Sequence, residues 1–262
     1  MINCKNIANK IKEDLKLLVT DDKQLAIIQV GENPASNIYI RNKIKDCEEL
    51  GIPYHYYQFA EDTTNNEVLQ KINELNADEK IKGIIIQLPL PNHLNTELLT
   101  NAVADEKDID GFKVTSKYTP CTPKGIMTIL DSLNVDLSGK TAVIIGKGKT
   151  VGRPLINLLL DRGVTVTVCH SKTRQCDLER HTFNADIIIS AVGKPNLLTL
   201  NMIDDENKNL IIIDVGISRD ENGKQIGDCA RELHDIVENI TGYTQSVGLM
   251  TRTSLIQNLL EE

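Results

Sequence analysis

The stretch KTAVIIGKGKTVGRPLINLLLDRGVTVTVCHSKT, residues 140–173, decides the fold class. A β-branched apolar run, TAVII, ends at Gly146. Two further glycines, Gly148 and Gly152, precede the apolar helical pattern PLINLLL, and a second alternating run, VTVTVC, follows Gly163. Strand, glycine loop, helix and strand in this order describe a parallel βαβ unit. Amides at such a turn and at the helix start can face a pyrophosphate, and glycine lets it come close. The third glycine falls one residue later than in G-x-G-x-x-G. A plain turn would also use glycines, but the strand-loop-helix setting favours a dinucleotide. The second strand runs into His170, Ser171, Lys172, Thr173 and Arg174 with no carboxylate for ribose hydroxyls. Ser171 can hydrogen-bond a 2′-phosphate and Lys147 can supply charge, so the site favours NADP. Lys149, Arg153, Lys172 and Arg174 fit surface charge equally well.

Outside this unit the same alternation continues. ADIIISAVG and NLIIIDVG read as further strands ending at glycines. Upstream, QLAIIQVG, SNIYIRNKIKDCEELGI, NNEVLQKINELNADEK and IKGIIIQLPLP read as strand, helix, helix and strand, with another strand expected between the helices. GFKVTSKYTPCTPKG breaks the pattern as a loop, and GIMTILDSLNVDL resumes as a helix. Two α/β domains with a cleft between them follow, the second Rossmann-like. We place residues 1–136 in the first, completed by a C-terminal helix at 246–262, and residues 137–245 in the second.

The composition bounds the function. The 262-residue chain is 40% hydrophobic and 25% charged, ordinary for a globular protein. A formal net charge of -8 disfavours a nucleic-acid backbone as the main partner. No run is long and apolar enough to span a membrane, and the amphipathic MINCKNIANKIKEDL lacks the apolar centre of a signal peptide, so a cytoplasmic protein is expected. The six cysteines show no C-x-x-C pair, which points to reduced thiols, no metal, and core packing for Cys169.

SNIYIRNKIK, residues 36–45, places Tyr39 and Lys43 on one helical face with Ser36 a turn earlier. Alone, that spacing describes an amphipathic edge as readily as a site. Gln87 puts an amide at the carboxyl end of a buried strand, where ligands of open parallel sheets gather. Asp108 and Asp110 alternate in KDIDG before Gly111, which also describes an acidic turn.

Taken together, VGENPASNIYIRNKIKDCEELGI, GIIIQLPLP, EKDIDGF, PCTPKG, VGRP, TVTVCHSKT, ADIIISAVGKP and IIIDVGI resemble the bifunctional methylenetetrahydrofolate dehydrogenase/cyclohydrolase family from Ile2 to the last helix. The resemblance implies oxidation of methylenetetrahydrofolate with NADP, then hydrolysis of the methenyl product to formyltetrahydrofolate. It implies Lys43 as the catalytic lysine, Tyr39 as the aromatic near the reacting ring, Gln87 as the lysine's polar partner and Asp110 as the pterin anchor. Leu88 joins the substrate-binding residues, and Gly146, Lys147, Gly148, Ser171 and Ile217 the cofactor-binding ones. Tetrahydrofolate derivatives are the implied partners and a homodimer the implied assembly.

Three departures stand out. Gly146-Lys147-Gly148 replaces a family G-R-S, exchanging a planar fork for a point charge and losing a hydroxyl. The connection from Asp110 to PCTP is short. TGYTQSVGLMT, residues 241–251, replaces T-P-V-P-G-G-V-G-P-M-T, so Tyr243, Gln245 and Ser246 are expected to add side chains where close approach was allowed. Besides the bifunctional enzyme, a relative retaining mainly hydrolysis and a folate- or nucleotide-binding protein without turnover fit the residues.

Overall fold

A computed structural model of the chain describes residues 1–261. It divides into two compact units, Lys10–Cys121 with Arg252–Glu262, and Met1–Asn9 with Thr122–Thr251.

In chain order the elements up to Cys121 are α1 (Cys4–Leu15), β1 (Gln24–Val30), α2 (Pro34–Leu50), β2 (Tyr54–Phe59), α3 (Asn65–Ala77), β3 (Ile81–Ile86) and α4 (Thr96–Ala102). The first unit is built on a three-stranded parallel sheet in the order β2-β1-β3. Strand alternation assigns side chains to two layers. Leu25, Ile27 and Ile85 pack with Ile40, Cys47 and Leu50 of α2 and with Leu255, Ile256 and Leu259. Ala26, Ile28, Ile84 and Ile86 pack the opposite face with Val68, Ile72 and Leu75 of α3. Both faces of β1 are therefore covered, which is why it reads as a continuous apolar run. α3 starts in a capping box between Thr64 and Glu67. Behind α2, Asp46 accepts from Lys12 at 2.7 Å and pairs with Arg252 at 2.9 Å. Burial opposes the charge on Lys12, but Asp46 and Glu49 together outweigh it and raise its pKa.

The remaining elements are α5 (Cys121–Ser132), β4 (Thr141–Ile145), α6 (Gly152–Leu160), β5 (Thr165–Cys169), α7 (Gln175–Phe183), β6 (Ile187–Ser190), β7 (Ile211–Asp214), β8 (Ser218–Arg219), β9 (Gln225–Ile226), α8 (Leu233–Ile236), β10 (Asn239–Ile240) and α9 (Val247–Leu260). Five parallel strands form a sheet in the order β10-β7-β6-β4-β5, and β8 and β9 form a separate antiparallel hairpin. Val143, Ile145, Ile188, Ile212 and Ile240 share one core layer with Cys169 and Leu178.

The structure departs from the sequence expectations at one helix. The helix expected from Gly125 already begins at Cys121, because a proline at position three of a helix forfeits only an amide that has no partner there. The compact units divide at 9/10, 121/122 and 251/252. Ile2 donates to the Ile240 carbonyl at 2.9 Å, a Cβ on Gly125 would lie 3.0 Å from the Met250 carbonyl carbon, and Thr251 donates to Thr122 at 3.1 Å. These contacts draw residues 1–9, α5 and the start of α9 into the second unit.

Candidate active site

The carboxyl ends of β1 and β3 lie side by side, with the Gln87 amide donating to the Ile28 carbonyl at 2.9 Å. The side chain of Gln87 donates to the Leu88 carbonyl at 2.8 Å, which turns its oxygen outward to accept from Lys43 Nζ at 3.3 Å. Leu88 therefore contributes its backbone to this arrangement, ahead of a cis peptide to Pro89. Ser36 Oγ donates to the same carbonyl at 3.4 Å. Lys43 is half-buried, while Tyr39, four residues earlier on the same face, is 40% exposed. One turn beyond Lys43, burial, and after it the charges of Asp46 and Glu48, push the Cys47 thiol up to about 12, which makes it inert packing.

A residue that the sequence reading passed over fixes the start of α2. Gln29, 1% exposed, interrupts the apolar run of β1. Its amide nitrogen donates to the Gly31 carbonyl at 2.9 Å and to Asn37 at 2.7 Å, and its oxygen accepts from Tyr56 at 2.7 Å. A lone amide inside an otherwise aliphatic strand was the signal available, since a buried amide persists only where every polar atom is paired.

Asp110 sits on a loop secured from three sides. Lys107 Nζ donates to the carbonyls of Leu75, Asn76 and Asp78 at 2.9, 2.7 and 2.8 Å, closing the carboxyl end of α3. Asn258 and the Cys121 thiol donate to the Ile109 carbonyl at 2.9 and 3.1 Å. Gly111 adopts φ 71, and a Cβ there would lie 2.7 Å from Pro120 N. Asp108 accepts from the Lys113 amide at 2.9 Å, and burial raises its pKa. Lys43 and Gln87 are thus brought into contact, whereas no hydrogen bond joins Tyr39 or Asp110 to them among the described residues.

In the second unit the glycines have separate tasks. Gly146 adopts φ 112, and a Cβ would lie 2.5 Å from the Ala191 carbonyl oxygen. At Gly152 a Cβ would lie 2.0 Å from the Gly146 carbonyl oxygen, so this glycine closes the loop on the helix. Gly148 faces open space, with nothing within 4 Å. Among the described residues the amides of Lys147, Gly148, Lys149, Thr150 and Val151 make no backbone hydrogen bond, and α6 has no side-chain cap. Unpaired amides with an open approach are the donor set that a pyrophosphate requires. Beyond β5, Thr173 Oγ1 accepts from the His170 amide at 2.9 Å and leaves Ser171 and Lys172 exposed. Arg174 is held by Asp177 at 2.6 Å, and Asp177 also pairs with Arg180 at 3.0 Å. Ile217, 46% exposed, precedes Ser218, whose hydroxyl donates to the Gly193 carbonyl at 2.9 Å.

The loop at 241–246 is tied to the rest of its unit. The Tyr243 hydroxyl donates to the Cys229 carbonyl at 3.0 Å, and its ring meets His234 edge-on at 4.3 Å. Burial, and after it Asp214 and Cys229, push the phenol up to about 12. Gln225 donates to the Tyr243 carbonyl, and Gln245 carries φ 50, the left-handed conformation usually left to glycine.

Residues 2–110 match the catalytic domain of tetrahydrofolate dehydrogenase/cyclohydrolase, and residues 120–262 match its NAD(P)-binding domain. The bifunctional protein FolD of Campylobacter jejuni is 41% identical over an alignment spanning 100% of this chain and 97% of its own. A crystal structure of the bifunctional enzyme from Campylobacter jejuni superposes with a TM-score of 0.93 at 40% identity, covering 99% of this chain and 96% of that one. The methylenetetrahydrofolate dehydrogenase-cyclohydrolase of Trypanosoma brucei, solved with NADP and an inhibitor, gives 0.88 at 27% identity over 98% and 93% of the two chains. With a lysine-amide pair at the sheet edge in one unit and an open glycine cradle in the other, this chain belongs to the tetrahydrofolate dehydrogenase/cyclohydrolase family.

Proposed function

We propose that the chain oxidises 5,10-methylenetetrahydrofolate to 5,10-methenyltetrahydrofolate with NADP and hydrolyses the product to 10-formyltetrahydrofolate. The observation that carries this reading is the 3.3 Å contact between Lys43 and Gln87 at the carboxyl end of a buried parallel sheet. NADP, when bound, supplies the hydride acceptor. The protein's part in that step is positioning, because departure of hydride leaves a cationic one-carbon bridge and needs no strong base.

Asp110 offers acceptor oxygens to the donor-rich edge of the pterin, and Tyr39 offers an exposed ring face to stack on it. In the hydrolytic step water adds to the cationic one-carbon carbon and Lys43 in its amine form takes one water proton; one carbon–nitrogen bond then opens, its electron pair staying on the nitrogen, which takes up the remaining hydroxyl proton as the formyl carbonyl forms. Gln87 fixes the direction of the lysine nitrogen without adding a negative charge that would hold a proton on it. Gly146 to Gly148 and the adjoining amides receive the pyrophosphate, and Ile217 lines the same site. Ser171 and Lys147 favour the 2′-phosphate of NADP over NAD, since the first acidic residue after β5 in the sequence, Asp177, is occupied by Arg174 and Arg180. No described helix is long and apolar enough to cross a membrane, and we place the enzyme in the cytoplasm as a homodimer.

Lys43→Met tests the assignment. Methenyltetrahydrofolate hydrolysis is expected to fall at least 100-fold, with the circular dichroism of the wild type. Wild-type hydrolysis in that variant would remove Lys43 from the mechanism. Parallel assays of the unaltered chain, one following methenyl formation with NADP and one following methenyl loss, separate the bifunctional enzyme from a hydrolase alone and from a binding protein.

A further inference from the structure

Two carboxylates lie buried at the carboxyl ends of β6 and β7, and nothing in the reaction above uses them. Asp228 is 0% exposed. Its Oδ2 accepts from Ser190 Oγ and from the Val192 amide, both at 2.8 Å, and its Oδ1 accepts from the Lys194 amide at 2.7 Å. Asp214, 5% exposed, accepts the amides of Asp228 and Cys229 at 2.9 Å each. The packing leaves no freedom around them: a Cβ on Gly216 would lie 1.9 Å from Asp228 Oδ1, and one on Gly227 would lie 2.0 Å from Asp214 Oδ2. Burial, with Asp228 adding to it, raises the Asp214 pKa. No lysine, arginine or histidine pairs with either carboxylate among the described residues.

Buried negative charge without a cation is costly, and a bound cation would offset it. The strand order indicates where one would lie. In a doubly wound sheet the two halves of a dinucleotide spread to either side of the strand that feeds the glycine loop. That strand is β4, with β5 on one side and β6 and β7 on the other. Ser171 follows β5 and marks the adenosine side, so the nicotinamide half falls over β6 and β7. The oxidised nicotinamide ring is a cation and the reduced ring is neutral.

Resting on the dinucleotide reading of this unit, we propose that Asp228, supported by Asp214, positions the nicotinamide half by fixing the 191–194 loop and biases the site toward the oxidised cofactor through its charge.

Titration calorimetry of the full chain with NADP+ and with NADPH tests this without turnover. Asp228→Asn is expected to weaken NADP+ about 10-fold and NADPH about 2-fold or less, the size of one lost charge interaction at intermediate dielectric. Asp214→Asn, which leaves the three anchors of Asp228 in place, is expected to shift the same ratio about 3-fold. Each ratio compares two ligands on one folded sample, so a reduced folded fraction cancels. Equal weakening of both forms, or of neither, would overturn the proposal, as would variants that circular dichroism shows unfolded, since the pair would then serve the fold alone. A wild type that binds neither form would instead overturn the dinucleotide reading itself.

Discussion

Two loops leave the carboxyl edge of the same sheet on opposite plans. After β4, the amides from Lys147 to Val151 have no backbone partner among the described residues, and Gly148 faces open space. After β6, the amides of Val192 and Lys194 close on a carboxylate from within the unit. Parallel strand ends expose surplus donors, and every buried donor needs an acceptor. The first loop leaves its donors open to an anion and the second carries its own acceptor, so one offers a binding edge and the other a rigid support.

The contrast is most severely broken at Gly152. A methyl there meets the Gly146 carbonyl, which is backbone and cannot swing aside. Gly152→Ala should cost about 3 kcal/mol or more in urea unfolding, and NADP binding should disappear with it. A variant within about 1 kcal/mol of wild type would show that the loop relaxes freely. Gly148→Ala sharpens the comparison because its methyl meets no protein atom. Stability should hold within about 0.5 kcal/mol, while NADP affinity falls about tenfold, roughly 1.4 kcal/mol, by calorimetry. Unchanged affinity would move the pyrophosphate away from Gly148.

The smallest effect concerns the supporting side. A carboxyl whose folded pKa is raised keeps its proton where the unfolded chain has lost it. Its stabilisation is therefore full below the ordinary carboxylate range and lost as pH rises through the raised value. Asp214→Asn should flatten the decline in unfolding free energy above roughly pH 4, the ordinary carboxylate range. An unaltered slope would assign that pH dependence to other groups, with Asp108, also raised by burial, the first to examine.

The two plans differ in how far the sequence discloses them. Glycines at 146, 148 and 152 announce themselves because backbone geometry and close approach exclude other residues, and a local strand-loop-helix pattern surrounds them. Lys43 and Gln87 became a pair only through the family resemblance, since helical spacing places residues on a face and says nothing of a partner 44 positions away. Asp228 gave no local sign, because its partners at Ser190, Val192 and Lys194 precede it by more than thirty residues. Gln29 was visible as an amide in an aliphatic strand but acquires meaning only from Gly31, Asn37 and Tyr56. Local pattern is equally silent on the pairing of Ile2 with Thr241, which meet as β-bridge partners only after folding.

The distribution of thiols gives the molecule a practical property. Five of the six free cysteines are buried, and Cys176 on α7 alone is exposed. Burial raises the pKa of Cys4, Cys47, Cys169 and Cys229, which withholds their thiolates from alkylating reagents. A maleimide dye added to the native protein should therefore attach once per chain, at a position fixed on the dinucleotide-binding unit, giving a spectroscopic ruler without engineered cysteines.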